Sequence, residues 1–247
     1  MDRLIYTAMS GASHTMQQQA TVGHNLSNVN TPGYRAAISA FRAVPLVGDG
    51  LPTRAFVVDS TAGTDFSPGV MQSTGRNLDM AVLGKGWIAV QLENGSEAYT
   101  RNGSFHVTPE GLLQTRTGLN VAGDVGSITI PPNTEVTVAK DGTISTVPTG
   151  MPPNQVVVVG RIKLVNPAEA QMVRGDDGLF RTQDGKPAVA DIAVTVAPGN
   201  LESSNVNAVE VMVNMITLAR QFEMQMKMLQ TADSNAKQAS QIFSMNA

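Results

Sequence analysis

The two ends of the chain differ from its middle in the period of their apolar residues. Near the N-terminus, Met1, Ile5, Ala8, Ala12, Thr15, Gln19, Val22, Leu26 and Val29 recur at alternating steps of four and three. That is the heptad seam of a helix, weakened where Thr15 and Gln19 stand on it. Pro32 ends the pattern, because the residue before a proline is pushed out of the α region. At about 1.5 Å per residue, a helix of about 25 residues extends about 40 Å. The C-terminal run has the same spacing: Ala208, Val211, Met215, Leu218, Phe222, Gln225 and Leu229, continuing through Ala232, Ala236, Ala239 and Phe243. Met212, Ala219 and Met226 widen the stripe on one flank. Ser203, Ser204 and Asn205 are candidate N-caps, and Glu210 lies where the helix dipole favours an acid.

Between these ends the period shortens to that of strands. Apolar, β-branched stretches occur at MAVLGKGWIAVQL, SITI, EVTVA, QVVVVGRIKLV and IAVTVA. Turn dipeptides separate them: Asn94-Gly95, Asn102-Gly103, Asp141-Gly142 and Asp184-Gly185. Short strands so spaced predict a mainly antiparallel sandwich or barrel-like domain. Residues 36–74 show no clear period. The fold class is therefore α+β in four zones: a helix over 1–34, an extended linker over 35–74, a β domain over 75–200 and a helix over 201–247. Each terminal helix has an apolar seam that needs a partner, and the two are expected to pair as an antiparallel coiled coil.

Composition narrows the chemistry. With 247 residues the chain can bury a substantial core, yet charged residues are only 15% and the net charge is -3. No basic patch suited to nucleic acid is present. No apolar run approaches the roughly 18 to 20 residues of a membrane span, and the opening MDRLIYTAMSGASHTMQQQA lacks the apolar stretch of a signal peptide. The chain has no cysteine, which removes thiolate catalysis and zinc–thiolate sites. His14 and His24 stand ten apart on a helix, about 80° around its axis, and do not form a ligand pair. Asp176-Asp177-Gly178 reads as a turn, lacking the spaced carboxylates of a calcium loop. Gly84-Lys85-Gly86 lacks phosphate-loop spacing. No base is grouped with a nucleophile, so neither an enzyme nor a cofactor is expected.

From Leu4 to Tyr34 there is no Asp, Glu, Lys or Arg. This segment ends in GHNLSNVNTPGY, which resembles the N-terminal signature of the bacterial flagellar rod and hook proteins. SNVNAVEVMVNMITLARQFEMQMKMLQTADS is similar to their shared C-terminal segment. LDMAVLGKGWIAV, YTRNGSF and TPEGLL resemble the β-domain motifs of the longer members. The opening residues are most similar to proximal-rod members of the family, with distal-rod members next and hook-type subunits further off. His24, Ser27 and Phe222 depart from the family's usual Asn, Ala and Tyr.

The resemblance implies a structural subunit of the rod in the periplasmic basal body, with helices in an inner layer and the β domain outside. It implies export by the flagellar type III apparatus without signal cleavage. It also implies contacts with copies of itself, with other rod subunits and with surrounding rings. The alternative from a different class is an oligomeric module whose β domain binds a ligand. The assembly residues expected on this reading are Ile5, Ala8, Ala12, Val22, Leu26 and Val29, with Ala208, Val211, Met215, Leu218, Phe222 and Leu229. Asn30, Thr31, Pro32, Gly33 and Tyr34 form the family's turn, with Pro and Gly placed for a type II corner. A helix buried among neighbours must avoid unpaired charge. Ala12→Asp or Leu26→Lys should therefore block incorporation into a rod while the β domain stays folded. Motility of strains carrying either variant checks this, and normal swimming would refute the assignment of the seam.

Overall fold

In the computed structural model, which describes residues 2–45, 55–150 and 156–245, helix α1 spans Asp2–Ser27 and helix α2 spans Ala208–Met245. Met1 and the Phe243 side chain, both on the expected seams, lie outside the described residues and side chains. A hairpin follows α1, formed by β1 (Ala37–Pro45) and β2 (Ala55–Thr64). Next come β3 (Met71–Ser73), β4 (Met80–Leu83), β5 (Trp87–Gln91), β6 (Glu97–Thr100), β7 (Phe105–Val107) and β8 (Leu113–Thr115). They are followed by β9 (Asn120–Gly123), β10 (Gly126–Ser127), β11 (Thr134–Val138), β12 (Thr143–Pro148) and β13 (Val157–Arg161). The last strands are β14 (Leu164–Val165), β15 (Met172–Arg174), β16 (Phe180–Thr182), β17 (Thr195–Pro198) and β18 (Asn200–Glu202). Every strand pair described is antiparallel.

The chain divides into two compact units. The first holds Met1–Val29, Ala36–Asp65 and Val206–Ala247. In it the two helices pack side by side. They run antiparallel, since Gly11 lies against Gln225 while Gly23 lies against Met215. The hairpin packs on α1: His14 meets the Phe41 ring edge-on, with centroids 5.5 Å apart, and the Thr21 and Ser39 hydroxyls share a 2.8 Å hydrogen bond. The hairpin occupies the stretch expected to be an extended linker. Its strands gave no apolar alternation because small or polar residues (Ala37, Ser39) are half-buried while Ile38 is exposed. A register shift between Ser39 and Phe41 blurs the period further.

The second unit holds Asn30–Arg35 and Phe66–Asn205. Its largest sheet runs β15-β16-β6-β5-β9-β8-β7, with β10 on β9 and β14 on β5. Smaller sheets are β11-β12-β13, β17-β4 and β18-β3. In central strand β5, Trp87, Ile88, Ala89 and Val90 are all buried, and alternate residues feed different cores. Ile88 joins Met80, Phe105, Leu113 and Ile162 in one cluster. Trp87 and Ala89 join Tyr99, Met172 and Phe180 in the other. Burial of the Tyr99 hydroxyl raises its pKa above the ordinary tyrosine value.

The turn dipeptides separate into two kinds. Asn94-Gly95 joins paired strands β5 and β6, and Asp141-Gly142 joins paired strands β11 and β12. Asn102-Gly103, expected as a hairpin turn, links β6 to β7, which do not pair. A Cβ on Gly103 would lie 1.7 Å from the Met80 carbonyl oxygen, so glycine is needed there for close backbone approach.

Both helix ends that adjoin the second unit in sequence differ from expectation. Helix α1 stops at Ser27, short of Pro32. The Asn28 amide nitrogen donates to the His24 carbonyl (2.9 Å), and the Asn28 and Val29 backbone N–H groups donate to Asn25 and Leu26 in tighter i→i−3 bonds. Asn25 itself reaches forward: its Nδ2 donates to the Ala37 carbonyl and its Oδ1 accepts from the Ala37 N–H, both at 2.9 Å. Helix α2 is capped by Asn207, whose Oδ1 accepts from the N–H groups of Val209 and Glu210. The expected cap Asn205 instead donates to the Ser67 carbonyl. Asn25→Ala would leave both backbone groups of Ala37 unpaired. It should destabilise the helix–hairpin unit by about 1–3 kcal/mol, measurable by urea unfolding followed by circular dichroism.

Candidate functional site

Helix α1 presents three rows of side chains, each about 100° from the next. The middle row is the seam predicted from sequence. Ala8, Ala12 and Thr15 are buried on it, and Ile5, Val22 and Leu26 are half-buried. On α2 the predicted residues Ala208, Val211, Met215, Leu218, Phe222 and Leu229 are likewise half-buried. Thr15 makes polar contacts on the seam: its Oγ1 lies 2.9 Å from the Gly11 carbonyl and 3.3 Å from Gln225 Oε1. A Cβ on Gly11 would come within 3.0 Å of Gln225 Nε2, so the small residue makes room for the amide.

One position before the seam stand His14, Thr21 and Asn25, the residues that hold the hairpin. One position after it stand Tyr6, Met9 and Met16, which are 60%, 55% and 58% exposed. Helix α2 repeats the offset: Val209, Met212 and Ile216 follow seam residues and are 72%, 51% and 55% exposed. Each helix thus carries a second apolar row that its own chain leaves uncovered. Met212 was legible from sequence as a flank of the stripe. The row on α1 was not, because Ser13 and Ala20 share it with the large residues and dilute the signal.

The family turn lies in the second unit. The Tyr34 N–H donates to the Thr31 carbonyl at 3.3 Å, and Gly33 has φ of 68°, as the expected corner requires. A Cβ on Gly33 would fall 2.3 Å from the Arg101 carbonyl carbon. Asn30 and Thr31 are exposed and Pro32 is half-buried, whereas Gly33 and Tyr34 are buried. Val29, assigned from sequence to the helical seam, is half-buried beyond the end of α1.

Behind this turn lies a charge cluster that sequence reasoning missed. The Glu202 carboxylate, 1% exposed, lies 2.8 Å from Arg35 Nη1 and 3.2 Å from Arg101 Nη1. It also accepts the Gly69 N–H at 2.9 Å, while its backbone carbonyl accepts the Gly33 N–H at 2.7 Å. Arg101 donates further to the carbonyls of Val82 and Gly84 and lies over the Trp87 ring. Burial lowers the Arg101 pKa, and the nearby Glu202 charge opposes that shift. Arg174 stacks 4.4 Å above Tyr34 and donates to the Arg35 carbonyl. The Arg35 contact is an ion pair by distance, and its Nε and Nη2 have no hydrogen-bond partner. Arg35 is the first charge after the long uncharged segment, and Glu202 the last before α2; those positions were the available signal.

Two buried guanidinium groups depend on one carboxylate here. Removing one partner of a buried pair costs about 3–5 kcal/mol, because the other charge is left uncompensated. Glu202→Ala should lower the stability of the β domain by that amount, and Glu202→Gln in the same direction. Urea unfolding monitored by the single tryptophan, Trp87, measures it.

Known proteins match this chain in three segments. The family described as "Flagella basal body rod protein" matches residues 5–35. "Flagellar hook protein FlgE/F/G D1 domain" matches 81–146, and "Flagellar basal body rod FlgEFG protein C-terminal" matches 197–242. The flagellar basal-body rod protein FlgF of Escherichia coli is 50% identical over 252 aligned positions, covering 100% of both chains. That of Salmonella typhimurium is 47% identical with the same coverage. The flagellar basal-body rod protein FlgG of Caulobacter vibrioides is 31% identical, covering 96% of this chain and 98% of its own. The chain therefore belongs to the flagellar basal-body rod protein family and is most like its FlgF members.

Proposed function

We propose that this chain builds the flagellar rod through its terminal helices. It is a structural subunit of the proximal rod. The helices pair as a coiled coil in an inner layer around the export channel, and the β domain forms an outer layer. The uncovered rows at Tyr6, Met9, Met16 and at Val209, Met212, Ile216 carry this reading. Two adjacent helices bearing exposed large apolar residues at heptad spacing are the half-finished core of an assembly. The seam residues Ile5, Ala8, Ala12, Val22 and Leu26 then serve pairing within the chain, and contact with neighbours falls to the second rows. Neighbours are copies of this chain and other rod subunits. Passage to the periplasm is by the flagellar type III apparatus, and the β domain faces the surrounding rings.

A β-domain binding module is supported less well. The second unit has a cleft of about 840 Å³ between Arg76, Glu110 and Glu135. These three side chains are exposed, and exposure leaves them less firmly held by surrounding residues than the convergent polar groups of a small-molecule site are.

Basal bodies isolated from the source bacterium should contain the chain. Met16→Lys, which adds a charge to an exposed row without touching the seam, should leave the protein folded and exported but absent from the rod and the cells non-motile. Incorporation of Met16→Lys at the normal level would overturn the role of the row, and absence of the wild-type chain from basal bodies would overturn the rod assignment.

A further inference from the structure

Around residues 209–217 of α2, the first unit has a socket on one side of its helix pair and projecting apolar side chains on the other. The socket is a groove of about 260 Å³ bounded by Gln18, Thr21 and Asn25 of α1, Ser39 of β1, and Asn214 and Thr217 of α2. It is smaller than the roughly 300–1,000 Å³ of small-molecule sites, and none of its lining residues is charged. Four of the side chains around it are already bonded within the chain. Thr21 bonds Ser39, Asn25 brackets Ala37, and Thr217 Oγ1 donates to the Val213 carbonyl at 2.9 Å. Val22, Ala37 and Leu218 complete its lining, so an apolar side chain that enters meets apolar partners.

The rows show which surface can supply that side chain. Gln18, Thr21 and Asn25 stand one position before the α1 seam, and Asn214 and Thr217 one position before the α2 seam. Both helices therefore open their preceding rows to the groove. The following rows, Val209, Met212 and Ile216 among them, lie roughly 200° further round each helix by the 3.6-residue turn. They face away on the opposite side of the pair.

We propose that Met212 and Ile216 of one copy seat in the Thr21–Ser39–Thr217 groove of the next copy. This rests on the rod-subunit reading and specifies how two copies meet. The partner must be uncharged where it enters, since no Asp, Glu, Lys or Arg stands between Leu4 and Tyr34, and Met212 and Ile216 of a second copy meet that condition. A socket and a plug on different faces make a heterologous contact, which continues from copy to copy instead of closing into a two-fold dimer.

Sedimentation velocity on the full chain tests the arrangement. Wild-type protein should associate with rising concentration. Asn214→Phe, which obstructs the groove, and the double variant Met212→Ala/Ile216→Ala, which removes the plug, should each weaken self-association at least about tenfold with unchanged circular dichroism. Thr217→Trp is a second groove-filling variant should Asn214→Phe unfold. An equimolar mixture of groove-filled and plug-less chains retains one good socket and one good plug, so it should form dimers and nothing larger. Polymerisation of the groove-filled variants like wild type, or a mixture that stays monomeric, would overturn the pairing while leaving the rod reading intact. A wild-type chain that incorporates into basal bodies yet stays monomeric at every concentration would also overturn it; absence from basal bodies is what would remove the rod reading.

Discussion

A single buried carboxylate organises the β unit where the chain enters and leaves it. Glu202 contacts Arg35 from the turn after α1, the amide of Gly69 from the segment after β2, and Arg101 from the strand layer. It lies itself on the last strand before α2. Segments far apart in sequence are thus held to one point inside one unit. Because two guanidinium groups share that carboxylate, the cluster is a specifier of geometry more than a source of net stability. Arg101 reinforces it by binding two strand carbonyls, and Gly33 is obligatory because the turn passes within van der Waals contact of the Arg101 backbone.

The first unit solves a different problem with neutral chemistry. Helix α1 has two contacting rows and one uncovered row and, beyond Arg3, no Asp, Glu, Lys or Arg on any of them. Its polar side chains bond to backbone and to one another: Asn25 to Ala37, Thr21 to Ser39, Thr15 to Gly11. Asn25 behaves like a short extra strand, offering a donor and an acceptor to a backbone that would otherwise lack partners at the hairpin edge. The asparagines at the end of α1 thereby act within the chain, where their amides set the exit path.

Most of the architecture was legible from periodicity. The two seams reported where each helix is covered, and the antiparallel β domain followed from short apolar runs between turns. The β1–β2 hairpin was not legible, because Ala37 and Ser39 on its inner face carry little hydrophobic signal. Helix ends were misplaced for a local reason: several capping residues stood in a row, and only tertiary contacts decide that Asn207 caps α2 while Asn205 ties down Ser67. The charge cluster escaped notice because Arg35, Arg101 and Glu202 are brought together by topology alone. The family motifs ran through Arg101 but stopped one residue short of Arg35 and resumed beyond Glu202.

In the assembly proposed above, adhesion through Tyr6, Met9, Met16 and their counterparts on α2 would carry a thermal signature. Ionic strength acts by screening charges, and this part of α1 has none to screen. Apolar association instead weakens as the temperature falls, because the entropy of released water that drives it diminishes. A shaft joined by such contacts would be loosest in the cold.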